Sequence, residues 1–148
     1  MLSITVIYFY IISKKEEKYM YALQLDNNYF KPTIGPVEVH NVLLKIGIPP
    51  NLLGYNYIVT ATELILNNPL YLHTITKGLY VEIARRYGTT SAGVERAIRN
   101  AINVGWLHGD LDYIYQLFKN CISPKRGVPS NSLFLTRLFH YFNSVEFE

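Results

Sequence analysis

The sequence predicts an all-α domain of about six helices, preceded by a short N-terminal extension. From residue 36 onward, apolar residues recur every three or four positions, which is the spacing of a helix face. Glycine, asparagine or proline separates the periodic segments, as expected at helix ends. The 148 residues suit one domain, and a hydrophobic content of 49% is ample for a packed core.

Residues 1–35 lack helical periodicity and are predicted to be an extension that ends in a linker at residues 31–36. The run VIYFYII, residues 6–12, favours a short strand. It is too short to span a membrane, which takes roughly 20 residues, and it lacks the flanks of a secretory signal. A true start at Met20 would also explain this run, and both interpretations stay open. We expect a cytoplasmic protein that does not bind membranes.

The first predicted helix opens at Gly35 and Pro36, because proline is favoured in the first turn of a helix. It ends at Gly47. Its inward stripe consists of Val39, Val42, Leu43 and Ile46. Asn51 is predicted to cap the second helix, which ends at residues 67–69. The inward face of the second helix consists of Leu53, Tyr57, Ile58, Ala61, Leu64 and Ile65.

A short turn joins the third and fourth predicted helices. The third spans about residues 76–87, and Gly88 ends it in a left-handed conformation. Its inward residues are Leu79, Tyr80, Ile83 and Ala84. The fourth spans about residues 91–104, with Thr90 or Ser91 as its cap.

Residues 80–99, YVEIARRYGTTSAGVERAIR, match the helix-turn-helix pattern. Ala84 is small where the two helices cross, Gly88 suits the turn, and Val94 packs the second helix onto the first. Each match alone is weak, because alanine and glycine are common. All of them in register are moderately specific.

Two further helices are predicted. Asp110 caps the fifth, which ends near Lys119, and the last spans about residues 131–143. The apolar residues of the last helix are Leu133, Phe134, Leu138 and Phe142. Leu138 and Phe142 are the surface we would choose for pairing two protomers, with burial inside one protomer as the alternative.

The positive charge of the chain is concentrated around the helix-turn-helix. Between residues 73 and 103 there are five basic and two acidic residues, so 5 − 2 equals the whole net charge of +3. These residues are Lys77, Arg85, Arg86, Arg96, Arg99, Glu82 and Glu95. A basic segment of this kind favours an acidic partner such as nucleic acid.

The second helix of a helix-turn-helix lies in the major groove of DNA, where its exposed side chains reach bases. Glu95, Arg96 and Arg99 share that exposed side. Arginine matches guanine O6 and N7, and glutamate accepts from cytosine N4, so a site with neighbouring G and C is predicted. The alternative is a solvated face on which Glu95 and Arg99 form an ordinary ion pair.

The block TITKGLYVEIARRYGTTSAGVERAIRNAINVGW, with IGIPPNLLGYNYI before it and PSNSLF after it, resembles a known family over residues 37–143. This is the C-terminal DNA-binding domain of the sporulation-initiation response regulator, stage 0 sporulation protein A. The resemblance implies a six-helix domain, winged-helix-like without a clear wing, that binds TGTCGAA-like elements as a dimer on tandem sites. It implies that Glu95, Arg96 and Arg99 read bases. The expected phosphate contacts are Thr90, Ser91, Lys77, Arg86 and Asn100.

Two features depart from that family. Residues 1–35 are too few for its phosphoacceptor receiver domain, so we expect no control by receiver phosphorylation. Gly93 stands where the family usually has a basic residue, which removes a phosphate contact. The second hypothesis is therefore a protein-interaction module that dimerises with a full-length paralogue and antagonises it.

Enzymatic and metal-binding functions are not expected. The four histidines, His40, His73, His108 and His140, show no spacing typical of metal ligands. The motif HGDLD is explained by Asp110 as a helix cap, and no phosphate-binding loop occurs. We expect no cofactor.

Overall fold

The computed structural model describes residues 36–118 and 127–145, and these residues contain six α-helices and no strand. The helices are α1 (Pro36–Ile46), α2 (Leu53–Asn67), α3 (Tyr80–Tyr87), α4 (Ser91–His108), α5 (Leu111–Phe118) and α6 (Asn131–Val145). The predicted all-α class is confirmed. The predicted N-terminal strand and the predicted end of the fifth helix near Lys119 lie outside the described residues.

The connection from α2 to α3 is itself helical. A 3₁₀ helix, Pro69–His73, is followed by a π-helical segment, Ile75–Leu79. The amides of Gly78 and Leu79 both donate to the carbonyl of Thr74, at 2.7 and 3.0 Å. The second of these bonds spans five residues, which defines a π turn. The regular α-helix therefore begins later than the apolar spacing predicted.

The centre of the fold is the crossing of α2 and α4. At Gly54 the two backbones touch, because a Cβ atom at this position would overlap the carbonyl oxygen of Ala97 and lie 2.8 Å from the Cβ of Ala101. Buried apolar residues surround the crossing: Tyr55, Ile58, Ile65, Val94, Ile98 and Ile102. Interiors packed at this density resist relative shifts of their elements, so α4 is held in one position.

The other helices complete the core. The predicted stripe of α1 is confirmed, since Val39, Val42, Leu43 and Ile46 are all buried. Phe118 of α5 stacks on Phe134 of α6 with ring centroids 5.6 Å apart, and Trp106 meets Phe118 edge-on at 4.9 Å. Leu138 and Phe142 are only 0% and 3% exposed. They fill the core of the protomer, so the choice of these residues as a pairing surface was wrong.

The start of α2 differs from the prediction. The helix begins at Leu53 after Leu52, and no side chain caps it, so the assignment of Asn51 as its cap was wrong. Leu53 is 67% exposed, because the buried face of the helix begins with the next two residues, Gly54 and Tyr55. The rest of the predicted inward face is buried: Tyr57, Ile58, Ala61, Leu64 and Ile65.

Helices α3 and α4 form the predicted helix-turn-helix. Gly88 follows α3 with φ 65° and ψ 39°, the left-handed conformation that glycine adopts without steric cost. Of the two alternatives for the cap of α4, the structure selects Thr90, whose hydroxyl accepts a 3.0 Å hydrogen bond from the amide of Gly93. Ser91 is the first helical residue.

The backbone contact at Gly54 makes a prediction with a definite sign. Alanine normally stabilises a helix interior by about 0.5–1 kcal/mol relative to glycine. Gly54→Ala is expected instead to destabilise the domain by about 1–3 kcal/mol, because its methyl group overfills the crossing. Urea unfolding followed by circular dichroism measures the change.

The control is Gly78→Ala, where an added Cβ meets mainly the flexible hydroxyl of Thr74, at 2.6 Å. It should cost less than Gly54→Ala. Equal or increased stability of Gly54→Ala would show that α2 and α4 are not in backbone contact.

Candidate nucleic-acid interface

The packing of α4 decides which of its side chains face outward. Val94 and Ile98 are fully buried against the core, so the residues between and beside them turn away from it. Arg96 and Arg99 are exposed and Glu95 is half-buried. The structure therefore brings the three predicted base-reading side chains together on the outer face of the second helix of the helix-turn-helix.

Glu95, Arg96 and Arg99 form no ion pair with one another. In the ranges that the structure describes, the salt bridges are those of Glu82 with Arg85 and Arg86, and none joins Glu95 to Arg99. The ion pair that would have made this an ordinary solvated face is thus not formed. The guanidinium groups of α4 remain available to an external acceptor.

A compact charge cluster lies on α3. Glu82 accepts two hydrogen bonds from Arg85, at 2.8 and 3.0 Å, and one from Arg86 at 2.8 Å. The bonds from Arg85 and then Arg86 lower the pKa of Glu82 from its ordinary 4.5 to about 2. The three residues form the α3 charge cluster, in which two of the five basic side chains of this region share one carboxylate.

A cleft of about 520 Å³ opens beside α4. Its walls come from the end of the 3₁₀ helix, the start of the π-helical segment, the first residue of α3, the first half of α4, and the start of α6. The polar side chains that line it include Lys77, Glu95, Arg99, Ser130, Asn131 and Ser132. Free N–H groups at helix starts favour anions, and Lys77 and Arg99 add positive charge. This arrangement suits a phosphate group of a backbone that runs past α4.

The predicted phosphate contacts are distributed unevenly around this cleft. Lys77 lines it, whereas Arg86 belongs to the α3 charge cluster and is 45% exposed. The hydroxyl of Thr90 already accepts the amide of the first turn of α4, and Ser91 is half-buried next to it. Asn100 is exposed on α4. The structure therefore brings one of the five, Lys77, to the cleft beside Glu95 and Arg99.

The start of α6 was not predicted to take part in the site. Asn131 is only 4% exposed, and its amide nitrogen donates to the carbonyl oxygen of Glu95 at 3.0 Å and to the hydroxyl of Tyr80 at 3.2 Å. Burial raises the pKa of Tyr80, and the bond from Asn131 lowers it. Ser130, which accepts from the amide of Leu133, caps α6 and stands at the rim of the cleft. The only sequence signal was the segment PSNSLF, whose spacing gives no role to any residue.

Gly93 lies in the first turn of α4, close to the outer face. A Cβ atom there would lie 3.0 Å from the hydroxyl of Thr89 and 3.1 Å from that of Thr90. Both hydroxyls are at the ends of small side chains that can adjust, so packing does not require glycine. Position 93 could carry a longer side chain, and with glycine this part of the face has none.

The described residues offer little to other chemistries. No group of three or more histidine, cysteine, aspartate or glutamate side chains within them is placed to hold a metal ion. Asp110 caps α5 as predicted, with its carboxylate accepting from the amide of Tyr113 at 3.2 Å. None of the helices in the same ranges is both long and apolar enough to cross a membrane.

The low pKa of Glu82 leads to a prediction about stability and pH. Hydrogen bonds from Arg85 and Arg86 favour the ionised carboxylate, so their stabilisation is complete above pH 4.5 and is lost as pH falls towards 2. Between these values the wild type should lose more stability than Glu82→Gln, as measured by urea unfolding at each pH. Glu63→Gln, on α2, leaves the α3 charge cluster intact and is the matched control. Parallel pH curves for wild type and Glu82→Gln would contradict the assignment.

The sequence of the chain was compared with models of known protein families. The family model described as sporulation initiation factor Spo0A, C terminal, matches residues 39–142. The match spans the helix-turn-helix, the cleft and most of α1 and α6.

Proposed function

The chain belongs to the Spo0A C-terminal family of sporulation initiation factors, a family of DNA-binding domains and not of enzymes, and on this premise we propose a specific mode of DNA recognition. The domain reads a TGTCGAA-like element in double-stranded DNA through α4 and thereby regulates transcription. Its site of action is then the DNA of the cytoplasm. One observation carries the proposal: Glu95, Arg96 and Arg99 stand together on the outer face of α4 without pairing to one another.

The chemistry of these three side chains fits the proposed element. An arginine donates two hydrogen bonds to O6 and N7 of guanine, and a carboxylate accepts from N4 of cytosine. The central TCGA of the element presents C and G next to each other on both strands. Glu95 and Arg99 lie one helical turn apart on α4, so they reach neighbouring base pairs along the groove.

Contacts to the DNA backbone are proposed mainly at the cleft. Lys77, the exposed hydroxyls at the start of α6, and the adjacent N–H groups supply donors without regard to sequence. Thr90, Ser91 and Asn100 flank the outer face of α4 and remain proposed phosphate contacts. Arg86 is a weaker candidate, because Glu82 competes with phosphate for its guanidinium group.

Direct reading by Arg96 is testable by substitution. Arg96→Ala should weaken binding to a duplex that contains TGTCGAA by about 1–3 kcal/mol and should relax the preference for one guanine. Affinity for a scrambled duplex should change much less. Fluorescence anisotropy titrations with both duplexes at the same salt concentration measure the two effects.

The control variant is Lys77→Ala, which removes a proposed contact to the DNA backbone and should weaken binding to both duplexes alike. It should also lower the slope of log affinity against log salt by about one unit. An equal loss on both duplexes for Arg96→Ala would exclude direct reading by this residue.

We also propose that two copies bind tandem elements cooperatively and without phosphorylation. The described helices form one compact unit that carries the whole helix-turn-helix and its cleft, so the DNA-binding surface is already assembled. Few contacts per protomer and the missing side chain at Gly93 make a single element a weak site. A second protomer that binds next to the first gains a high effective concentration.

A comparison of one-element and two-element duplexes tests this pairing with unphosphorylated protein. We expect the two-element duplex to bind the second protomer about tenfold or more tightly than the first, since avidity gains commonly reach 10²–10⁴. A duplex with the two elements half a helical turn further apart is the control. Equal affinity per element on all duplexes would contradict cooperative binding of two protomers.

The absence of a side chain at Gly93 favours a second candidate function. In that case the chain binds DNA poorly, dimerises with a full-length paralogue, and antagonises it. Failure to bind either duplex, with binding restored by Gly93→Arg, would support this alternative. If neither the wild type nor Gly93→Arg binds the duplexes, a role for position 93 is contradicted.

A further inference from the structure

Asn131 joins the three helices that build the DNA-binding face. It is the first residue of α6 and is only 4% exposed. Its amide nitrogen donates to the carbonyl oxygen of Glu95 on α4 at 3.0 Å and to the hydroxyl of Tyr80 on α3 at 3.2 Å. One side chain of α6 is therefore hydrogen-bonded to both helices of the helix-turn-helix.

The acceptor on α4 is the main chain and not the carboxylate of Glu95. In an α-helix this carbonyl also accepts the amide four residues further on, which is that of Arg99. The bond from Asn131 thus acts on the backbone of the one turn that runs from Glu95 through Arg96 to Arg99. It constrains how that turn is rotated about the axis of α4, whereas the side chains above it remain free to meet a ligand.

The orientation of the Asn131 amide follows from its partners. A main-chain carbonyl can only accept, so the group that faces Glu95 must be the amide nitrogen, and this assigns the oxygen to the opposite side. That oxygen is buried and has no hydrogen-bond partner among the described residues. A buried acceptor without a partner destabilises a fold, which offsets part of the stabilisation from the two bonds that the amide nitrogen donates.

We propose that Asn131 is a positioning residue for base reading: its bond to the Glu95 carbonyl fixes the rotation of α4 so that Arg96 and Arg99 meet base edges in register. This inference rests on the proposed function. Hydrogen bonds to base edges tolerate small displacements poorly, whereas phosphate contacts by flexible side chains tolerate them well. Loss of the bond should therefore reduce the preference for the specific sequence more than it reduces general affinity.

The test compares Asn131→Leu with Tyr80→Phe in the whole chain. Leucine keeps the branched outline of asparagine and removes both the donor and the unpaired oxygen. It also leaves the Tyr80 hydroxyl without its donor, a contact that Tyr80→Phe removes from the other side. Tyr80→Phe removes the hydroxyl acceptor but keeps the bond from Asn131 to Glu95, so it is the matched control. Each protein is titrated with a TGTCGAA duplex and with a scrambled duplex, and thermal unfolding is recorded alongside.

We expect Asn131→Leu to lower the ratio of specific to scrambled affinity by about tenfold, the size of one well-placed hydrogen bond. Its affinity for the scrambled duplex should stay within about threefold of the wild type, because the buried amide nitrogen of Asn131 is already bonded to Glu95 and Tyr80 and is not itself a phosphate donor. Tyr80→Phe should keep the wild-type ratio, even if it lowers the unfolding temperature. Asn131→Ala serves as a second variant and should show the same loss of ratio.

Three outcomes would overturn the inference. An unchanged ratio in Asn131→Leu, a parallel loss on both duplexes, or the failure of both Asn131 variants to fold would each leave a purely structural role. A wild-type chain that shows no sequence preference would instead contradict the proposed function, and the inference with it. A wild type that prefers TGTCGAA alongside variants that keep this preference would contradict the inference alone.

Discussion

The contact between Gly54 and the backbone of α4 is the constraint on which the rest of the structure depends. Because Gly54 has no side chain to separate α2 from the Ala97 carbonyl, the backbones of α2 and α4 are in direct contact. The helix is then flanked by residues that are fully buried, Val94, Ile98 and Ile102. Because its buried face is packed this closely, α4 holds its exposed residues at fixed positions. The reading of a base sequence requires such fixed positions.

The same constraint explains which parts of the site the sequence could predict. The period of 3.6 residues puts Val94 and Ile98 behind and Glu95, Arg96 and Arg99 in front, so the orientation of these side chains follows from local pattern alone. The turn at Gly88 and the capping of α5 by Asp110 also follow from local sequence. Each depends on residues within about one helical turn, and such rules are visible in a sequence.

The features that the sequence could not predict depend on contacts between distant segments. Asn131 meets the Glu95 carbonyl across 36 positions, and no periodicity within α6 indicates that bond. Leu138 and Phe142 were considered for an external surface because an apolar stripe looks the same whether it faces the protomer core or a partner. The π turn before α3 arises where Leu79 reaches the Thr74 carbonyl, a choice that apolar spacing does not distinguish from a regular helix.

Electrostatics connects the fold to the way the domain is proposed to find its target. Glu82 is shared by Arg85 and Arg86 on α3, which keep one net positive charge between them, and the cations of the region that are not held in an ion pair are Lys77, Arg96 and Arg99. Three unpaired cations and one net charge on α3 release few counterions from DNA, and binding without regard to sequence is then weak. Specific affinity must come from base contacts that a rigid α4 makes well and from the joint binding of neighbouring protomers. Such a domain has low general affinity for DNA. The fraction of it that is bound to DNA therefore depends steeply on whether the correct sequence is present.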